Sequence, residues 1–304
     1  MGRFIASRLV QAVISMFVVT VFIFGAVRLS GDPLQVLLPV EAPPEQYEEM
    51  RKLLYLDRPV HVQYWKWVSR VAVGDLGMST SGRIPVRDLI WERLPNTLQL
   101  AGVAFAFTLF FGLTVGVYAA AYRGTTLDML ARSFAVLGQA QPNFWTGIVS
   151  ILVFAVLLGW LPAGGKSGWS SIILPAVTLG WLPVAGLMRL TRSSMLQVLN
   201  SEYVKLARIK GVSEFHVLWK HSLKNAALPL LTYSGLVFIG LITGSIVTET
   251  VFAWPGMGRL VFSAIVERDF PTVQGVVLIF SAWYILASLL VDIAYAYLNP
   301  KIRY

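Results

Sequence analysis

A chain of 304 residues that is 56% apolar and only 13% charged, with 10 Trp and 17 Phe and a mean hydropathy of +0.66, is excluded from the soluble globular class and reads as an all-α polytopic membrane protein. The formal charge of +9 does not indicate nucleic acid, because the excess cations are confined to short segments between apolar runs. Cysteine is absent, which excludes thiol chemistry and a disulfide framework.

Six charge-free runs, Leu9–Val27, Leu94–Tyr122, Ser133–Gly165, Ser167–Met188, Asn225–Thr248 and Phe270–Val291, each reach the ~20 residues needed to cross about 30 Å of hydrocarbon. They predict six transmembrane helices. The first run is longer than a signal-peptide core and lacks a small-residue cleavage site, so 1–29 is expected to be an uncleaved span. Ser30-Gly31-Asp32-Pro33 breaks it. Residues 30–93 then form a long insertion. PPEQYEEMRKLLYL has proline early, acids in the first turn and bases later, as the helix dipole prefers, and His61 to Val73 suits a second small helix. A flexible loop is the alternative, but Tyr64, Trp65, Trp67 and Val68 need an apolar cover, which a cap over the membrane domain would supply.

Leu94-Pro95-Asn96-Thr97 is expected to open the second span. Gly112 and Gly116, and again Gly240 and Gly244, have the four-residue spacing of close helix contacts. The uncharged stretch 133–165 is too long for one straight crossing and is interrupted by Gln139, Gln141, Pro142 and Asn143. A broken helix follows, either lining a path or simply packed on its neighbours. Polar groups inside spans, Gln139, Gln141, Asn143, Thr243 and Ser245 among them, are candidates for a translocation path, or for helix-to-helix hydrogen bonds. Phe252, Trp254 and Phe262 suit an interfacial re-entrant turn around Pro255-Gly256. Asp292 is expected to pair with Lys301 or Arg303.

Six crossings place both termini on one side. The N-terminus, the loop 123–132, the segment 189–224 and the tail from Asp292 together hold 13 basic and 4 acidic residues, against 12 and 12 elsewhere. The positive-inside tendency makes that side the cytoplasm and places 30–93 outside. The expected organisation is therefore an N-terminal span (1–29), an extracytoplasmic helical segment (30–93), a five-span core (94–298) containing a cytoplasmic loop (191–224), and a tail (299–304).

That loop is polar, basic and amphipathic. Leu196, Leu199, Tyr203 and Leu206, then Val212, Phe215, Leu218, Trp219 and Leu223, recur at helical steps. Gly211 between them suits a positive φ, Ser213 can cap the second helix, and Glu214 favours its N-terminal end. Exposed Tyr203, Phe215 and Trp219 call for a protein cover, although basic residues beside them would also suit anionic lipid. A side chain at Gly211 is expected to strain the turn and push the helices apart.

Several stretches resemble one family: SRLVQAVISMFVVTVFIFGAVRLSGDP, RLPNTLQL, QPNFWTGI, EYVKLARIKG with HSLKNAALP, and ETVFAWPGMGRL with ERDFP. The chain is similar to the first membrane subunit of ATP-binding-cassette importers of the dipeptide/oligopeptide/nickel type. The resemblance implies the type I importer permease fold and ATPase coupling by Tyr203, Val204, Ala207, Arg208, Lys210, Gly211, His221 and Asn225. It also implies a homologous second permease, two ATPase subunits that bind ATP and Mg, and an extracytoplasmic substrate-binding protein, with no cofactor on this chain. Lys205 stands where the broader importer signature has glutamate, and Pro229 lies five positions beyond the expected proline. Both departures are shared by peptide-type members.

Rival classes fare worse. No HExxH or GxSxG is present, and histidines at 61, 216 and 221 offer no catalytic or metal pattern. Ion-coupled transporters carry acids inside the bilayer, whereas the six runs lack one and no nucleotide motif is present, so the motor is expected on another chain. Short peptides are the expected cargo; nickel chelates, glutathione-like solutes and sugars remain open.

Overall fold

A computed structural model describes residues 2–29, 34, 42–53 and 55–298. The helices are α1 (Gly2–Leu29), α2 (Pro44–Leu53), α3 (Val60–Ala72), α4 (Val86–Ala121) and α5 (Thr126–Ala140). They continue as α6 (Asn143–Leu157), α7 (Ile173–Leu199), α8 (Glu202–Ile209), α9 (Glu214–Thr243), α10 (Ile246–Val251), α11 (Met257–Val266) and α12 (Phe270–Leu298). Among the described residues five helices are long and apolar enough to span a bilayer. A sixth span results if α5 and α6, bent by 106°, count as one. The break falls at Gln141-Pro142, as expected for a proline whose missing N–H and fixed φ interrupt a helix. The last turns of α6, Ile151–Leu157, widen to π geometry.

Residues 97–255, together with 287–298, form one compact group. Within it α4 approaches α7 closely. A Cβ on Gly112 would lie 2.8 Å from Leu187 Cδ2, and one on Gly116 would lie 2.6 Å from Thr191 Cβ and 2.8 Å from the Met188 carbonyl. These glycines set the helix separation. The second pair does not repeat this: Gly240 has nothing within 4 Å, and Gly244 meets only the Gly240 carbonyl of its own chain. α5 docks through Ala131 and Ala135 onto Ala185 and Met188 of α7, and Asp128 at its start fastens the same pair. The Arg192 Nε and Nη2 donate to its two carboxylate oxygens at 2.6 and 2.9 Å, and the Gly124 N–H adds a third bond at 3.0 Å. Phe252 and Trp254 are buried rather than interfacial. The chain at Gly164–Gly165 lies directly on them, with the Gly165 N–H donating to the Phe252 carbonyl at 2.8 Å. Phe262 does remain exposed.

The described residues of 2–96, with 256–286, form the other group. The α4 helix begins at Val86, two turns before the expected Leu94, and runs through Pro95. Val86, Ile90 and Leu94, at i, i+4 and i+8, are all buried, and that burial outweighs the one backbone bond a proline removes. α2 starts on a proline with Glu45 in its first turn and Arg51 and Lys52 in its last. α3 lies on the spanning helix α1. The Tyr64 hydroxyl pairs with Thr20 Oγ1 at 2.9 Å, and Phe24 packs against Tyr64 and Trp67 with ring centres 5.5 and 5.7 Å apart. Tyr64 and Trp67 thereby gain their cover, whereas Trp65 stays exposed. The turn before α12 is held by Asp269, which accepts bonds from Ser79 and Thr272 Oγ1 and from the Thr80 N–H. Burial alone would raise its carboxyl, but these donors prevail and hold it below the ordinary carboxylate value. The chain break expected at Ser30–Pro33, the tail 299–304, and the proposed partners Lys301 and Arg303 of Asp292 lie outside the described residues.

Candidate functional site

The loop between α7 and α9 is built as a helical hairpin. α8 ends at Ile209 with Lys210 as its C-cap, and Gly211 takes φ +76°. The Gly211 and Val212 N–H groups donate back to the Arg208 and Ala207 carbonyls at 3.0 and 3.2 Å, the paired bonds of a Schellman stop. Glycine suits this position because a Cβ disfavours positive φ. Ser213 occupies the N-cap position of α9, yet its hydroxyl makes no capping bond and instead pairs with His216 Nδ1 at 2.7 Å. Glu214, placed at the positive end of α9, reaches across the turn to Arg208, whose Nη2 and Nε donate at 2.7 and 3.1 Å. That fork clasps the two helices around Gly211.

Sequence periodicity put two surface helices here. Instead, the second is the opening of α9, which runs without interruption from Glu214 through a π segment, Val217–Ser222, into the apolar run. Extra backbone in a π turn shifts the residues that follow around the axis; His221 lies within this segment and Asn225 just beyond it, with Asn225 Nδ2 bonded to the His221 carbonyl at 2.6 Å.

Of the three rings expected to be exposed, Tyr203 and Phe215 are, whereas Trp219 is partly buried. Val204 is buried with Val217 and Leu218 against Val117, Met195 and Leu199, and Ala207, Val212 and Trp219 close over them. Trp219 packs edge-on to Tyr118 at 6.3 Å, so it is covered by this chain. Tyr203, Leu206, Ile209 and Phe215 remain exposed, Ile209 at 81%. Arg208, Lys210 and Asn225 are exposed beside them and His221 is half-buried. Of the predicted coupling residues, Val204 and Ala207 therefore position the hairpin while Tyr203, Arg208 and Lys210 face outward. Leu206 and Ile209 were missed as outward groups. Their signal is that an eight-residue helix carrying apolar side chains at 203, 204, 206, 207 and 209 cannot bury all of them on one face.

The path candidates divide. Gln139 is exposed on α5 and accepts from Arg189 Nη1 at 3.3 Å, while Gln141 and Asn143 flank the α5–α6 break. Thr243 Oγ1 bonds its own helix at the Ile239 carbonyl, 3.3 Å away. Ser245 is buried, with Oγ 2.9 Å from Glu249 Oε1. Glu249 was not singled out by sequence. It is 0% exposed, and Thr97 Oγ1 also donates to it at 2.8 Å. This carboxylate lies one residue beyond the fifth charge-free run, which is why a count within the runs misses it. Among the described residues no group of three or more His, Cys, Asp or Glu could hold a metal ion.

Comparison with known proteins gives concordant results. Residues 112–304 match the family described as binding-protein-dependent transport system inner membrane component, and residues 1–101 match its N-terminal counterpart. The chain is 42% identical over 305 residues to the glutathione transport system permease protein GsiC of Escherichia coli O6:H1 strain CFT073, covering 100% of both. It is 41% identical, again over 100% of both, to the proteins of that name from Escherichia coli strain K12 and Shigella flexneri serotype 5b. Among solved structures, an inward-facing conformation of the MetNI methionine ABC transporter superimposes with a TM-score of 0.57 at 18% identity, covering 69% of this chain and 96% of that one. An amino acid ABC transporter with histidines gives 0.52 at 15% identity, covering 69% and 94%. These two likenesses concern the fold.

Proposed function

Because this chain belongs to the family of binding-protein-dependent transport system inner membrane components, and so is a permease subunit of an ABC importer, we propose that it forms half of a path importing short peptides, glutathione-like tripeptides included. The observation that carries the cargo assignment is the 42% identity, without gaps in coverage, to a glutathione permease. In this reading the chain is not itself an enzyme. Two ATPase subunits hold ATP and Mg, a homologous permease completes the pore, and an extracytoplasmic binding protein delivers the peptide. Both termini and the 191–224 loop lie in the cytoplasm, and 30–93 lies outside, in keeping with the charge asymmetry.

The hairpin α8–α9 is the proposed seat of the ATPase. Its four exposed apolar side chains offer the contact area, and the Arg208–Glu214 clasp and the Schellman turn keep them in one arrangement, so that a push on the hairpin reaches α7 and α9 without being lost in a flexible loop. Tyr203, Arg208, Lys210, His221 and Asn225 would meet the partner, while Val204, Ala207 and Gly211 set the shape. Gln139, Gln141, Asn143 and Thr243 would offer uncharged hydrogen-bonding groups to a zwitterionic cargo.

The test is uptake of labelled glutathione and of a dipeptide by the reconstituted complex with its binding protein. ATP-dependent uptake is expected. Uptake driven by a proton gradient alone would overturn the reading, and ATP-dependent uptake of a nickel chelate but no peptide would overturn the cargo.

A further inference from the structure

Beside the last turns of α1, a cavity of about 180 Å³ opens between side chains of α1, α3 and the start of α12. Gln63, Lys66, Trp67 and Arg70 fall at i, i+3, i+4 and i+7 of α3, share one face, and all line this cavity, as does Arg28 of α1. Among the described residues neither Lys66 nor Arg70 pairs with a carboxylate; both cations instead stand over the Tyr55 ring, 5.5 and 5.9 Å from its centre. Gln63 is 8% exposed. Its Nε2 donates to the Arg58 carbonyl at 2.8 Å, but its Oε1 has no partner. Thr80, whose Oγ1 also has no partner, lies on the same lining.

A purely structural gap would be apolar or would satisfy its own polar atoms. This one collects the Lys66 and Arg70 cations, an orphaned acceptor and the apolar walls of Phe24 and Trp67, beside the last turn of a helix long and apolar enough to span a bilayer. Phosphate suits the cations. The Gln63 oxygen additionally requires a donor on the same ligand, and aromatic walls suit an adjoining glycerol or acyl segment. We propose that this cavity is a site for a membrane phospholipid headgroup, with the phosphate between Lys66 and Arg70 and an ammonium or hydroxyl hydrogen of the headgroup donating to Gln63 Oε1. Soluble phosphate shares the anionic chemistry and is the competing source.

The assembled complex, purified in detergent and examined by native mass spectrometry, decides the matter through titration with phosphatidylethanolamine, phosphatidylcholine and inorganic phosphate. The parent should retain phosphatidylethanolamine in preference to phosphatidylcholine, which has no headgroup donor. Lys66→Gln with Arg70→Gln should lower retention roughly tenfold or more, and Lys66→Arg with Arg70→Lys should keep it. Gln63→Leu should abolish the preference between the two lipids while leaving phosphatidylcholine binding unchanged. Lipid retention that resists a large excess of inorganic phosphate supports the lipid; phosphate binding without retained lipid would overturn it in favour of the soluble anion. Equal lipid retention by parent and charge-neutralised variant, with no phosphate bound by either, would overturn the site altogether.

Discussion

Removing the carboxylate of Asp128 tests whether α5 and α7 are held together as the geometry implies. Asp128→Ala deletes the acceptor of two charge-assisted bonds from Arg192, at 2.6 and 2.9 Å, and the acceptor of the Gly124 N–H. Breaking a buried ion pair by removing one partner costs about 3–5 kcal/mol, mostly for the charge left behind. The Arg192 side chain is 21% exposed and can recover some hydration, which points to the lower end, about 3 kcal/mol. The additional pair with Arg132, itself well exposed at 3.5 Å, changes this little. Asp128→Asn keeps an acceptor of the same shape and should cost about half as much, whereas Asp128→Leu with Arg192→Met leaves no orphaned charge and should lie near the parent. Unfolding in mixed micelles followed by tryptophan fluorescence reads these differences, and the thermal midpoint of the assembled complex checks them. Because Arg192 lies two turns before the end of α7, from which α8 follows, substrate-stimulated ATP hydrolysis should fall with the single variant. An Asp128→Ala protein within about 0.5 kcal/mol of the parent, the range of ordinary surface substitutions, or a double variant as damaged as the single, would refute the reasoning.

Further outcomes follow from close contacts, backbone strain and titration. Gly116→Leu should force α4 from α7 and cost about 1–3 kcal/mol or abolish assembly, whereas Gly240→Ala, with nothing within 4 Å, should be neutral or gain up to ~1 kcal/mol from helix propensity; membrane abundance and thermal midpoints separate them. Gly211→Val should cost roughly 1–2 kcal/mol through its left-handed backbone alone, since no atom lies within 4 Å of the added Cβ and the helices are not pushed apart; normal stimulated hydrolysis and transport would refute a role for this turn in coupling. Asp269 has a depressed folded pKa, so its contribution is present above the unfolded value of about 3.9 and is lost as pH falls through the folded one. Asp269→Asn should therefore be destabilised near neutrality, with the gap to the parent closing on acidification; a gap that widens towards acid would contradict this sign.

Apolar run length was enough to locate five spanning helices and the bent α5–α6 pair, because a bilayer demands about twenty uncharged residues whatever the neighbouring helices do. Local chemistry was enough for the stop at Gly211, the break at Gln141-Pro142 and the proline-started α2, since each depends on a few consecutive residues. The hairpin's inward face was less legible. Stripes at Tyr203/Leu206 and Val204/Ala207 are equally periodic, and the choice between them depends on where Val117, Met195 and Leu199 lie. The glycine pairs make the same point: 112/116 and 240/244 share one spacing, yet only the first meets a partner helix, at Leu187 and Thr191.

The sequence by itself determined a multi-pass helical membrane protein and the turn on which the α8–α9 hairpin folds, because hydrophobic length and glycine's backbone freedom act locally, and its motifs carried the family resemblance. Only the tertiary structure decided that Glu249 is buried under Thr97 and Ser245, that Asp128 grips Arg192 across 64 positions, and that Phe252 and Trp254 are core. Burial and ion pairing are properties of side chains brought together from distant parts of the chain, and no local pattern encodes which distant side chain will arrive.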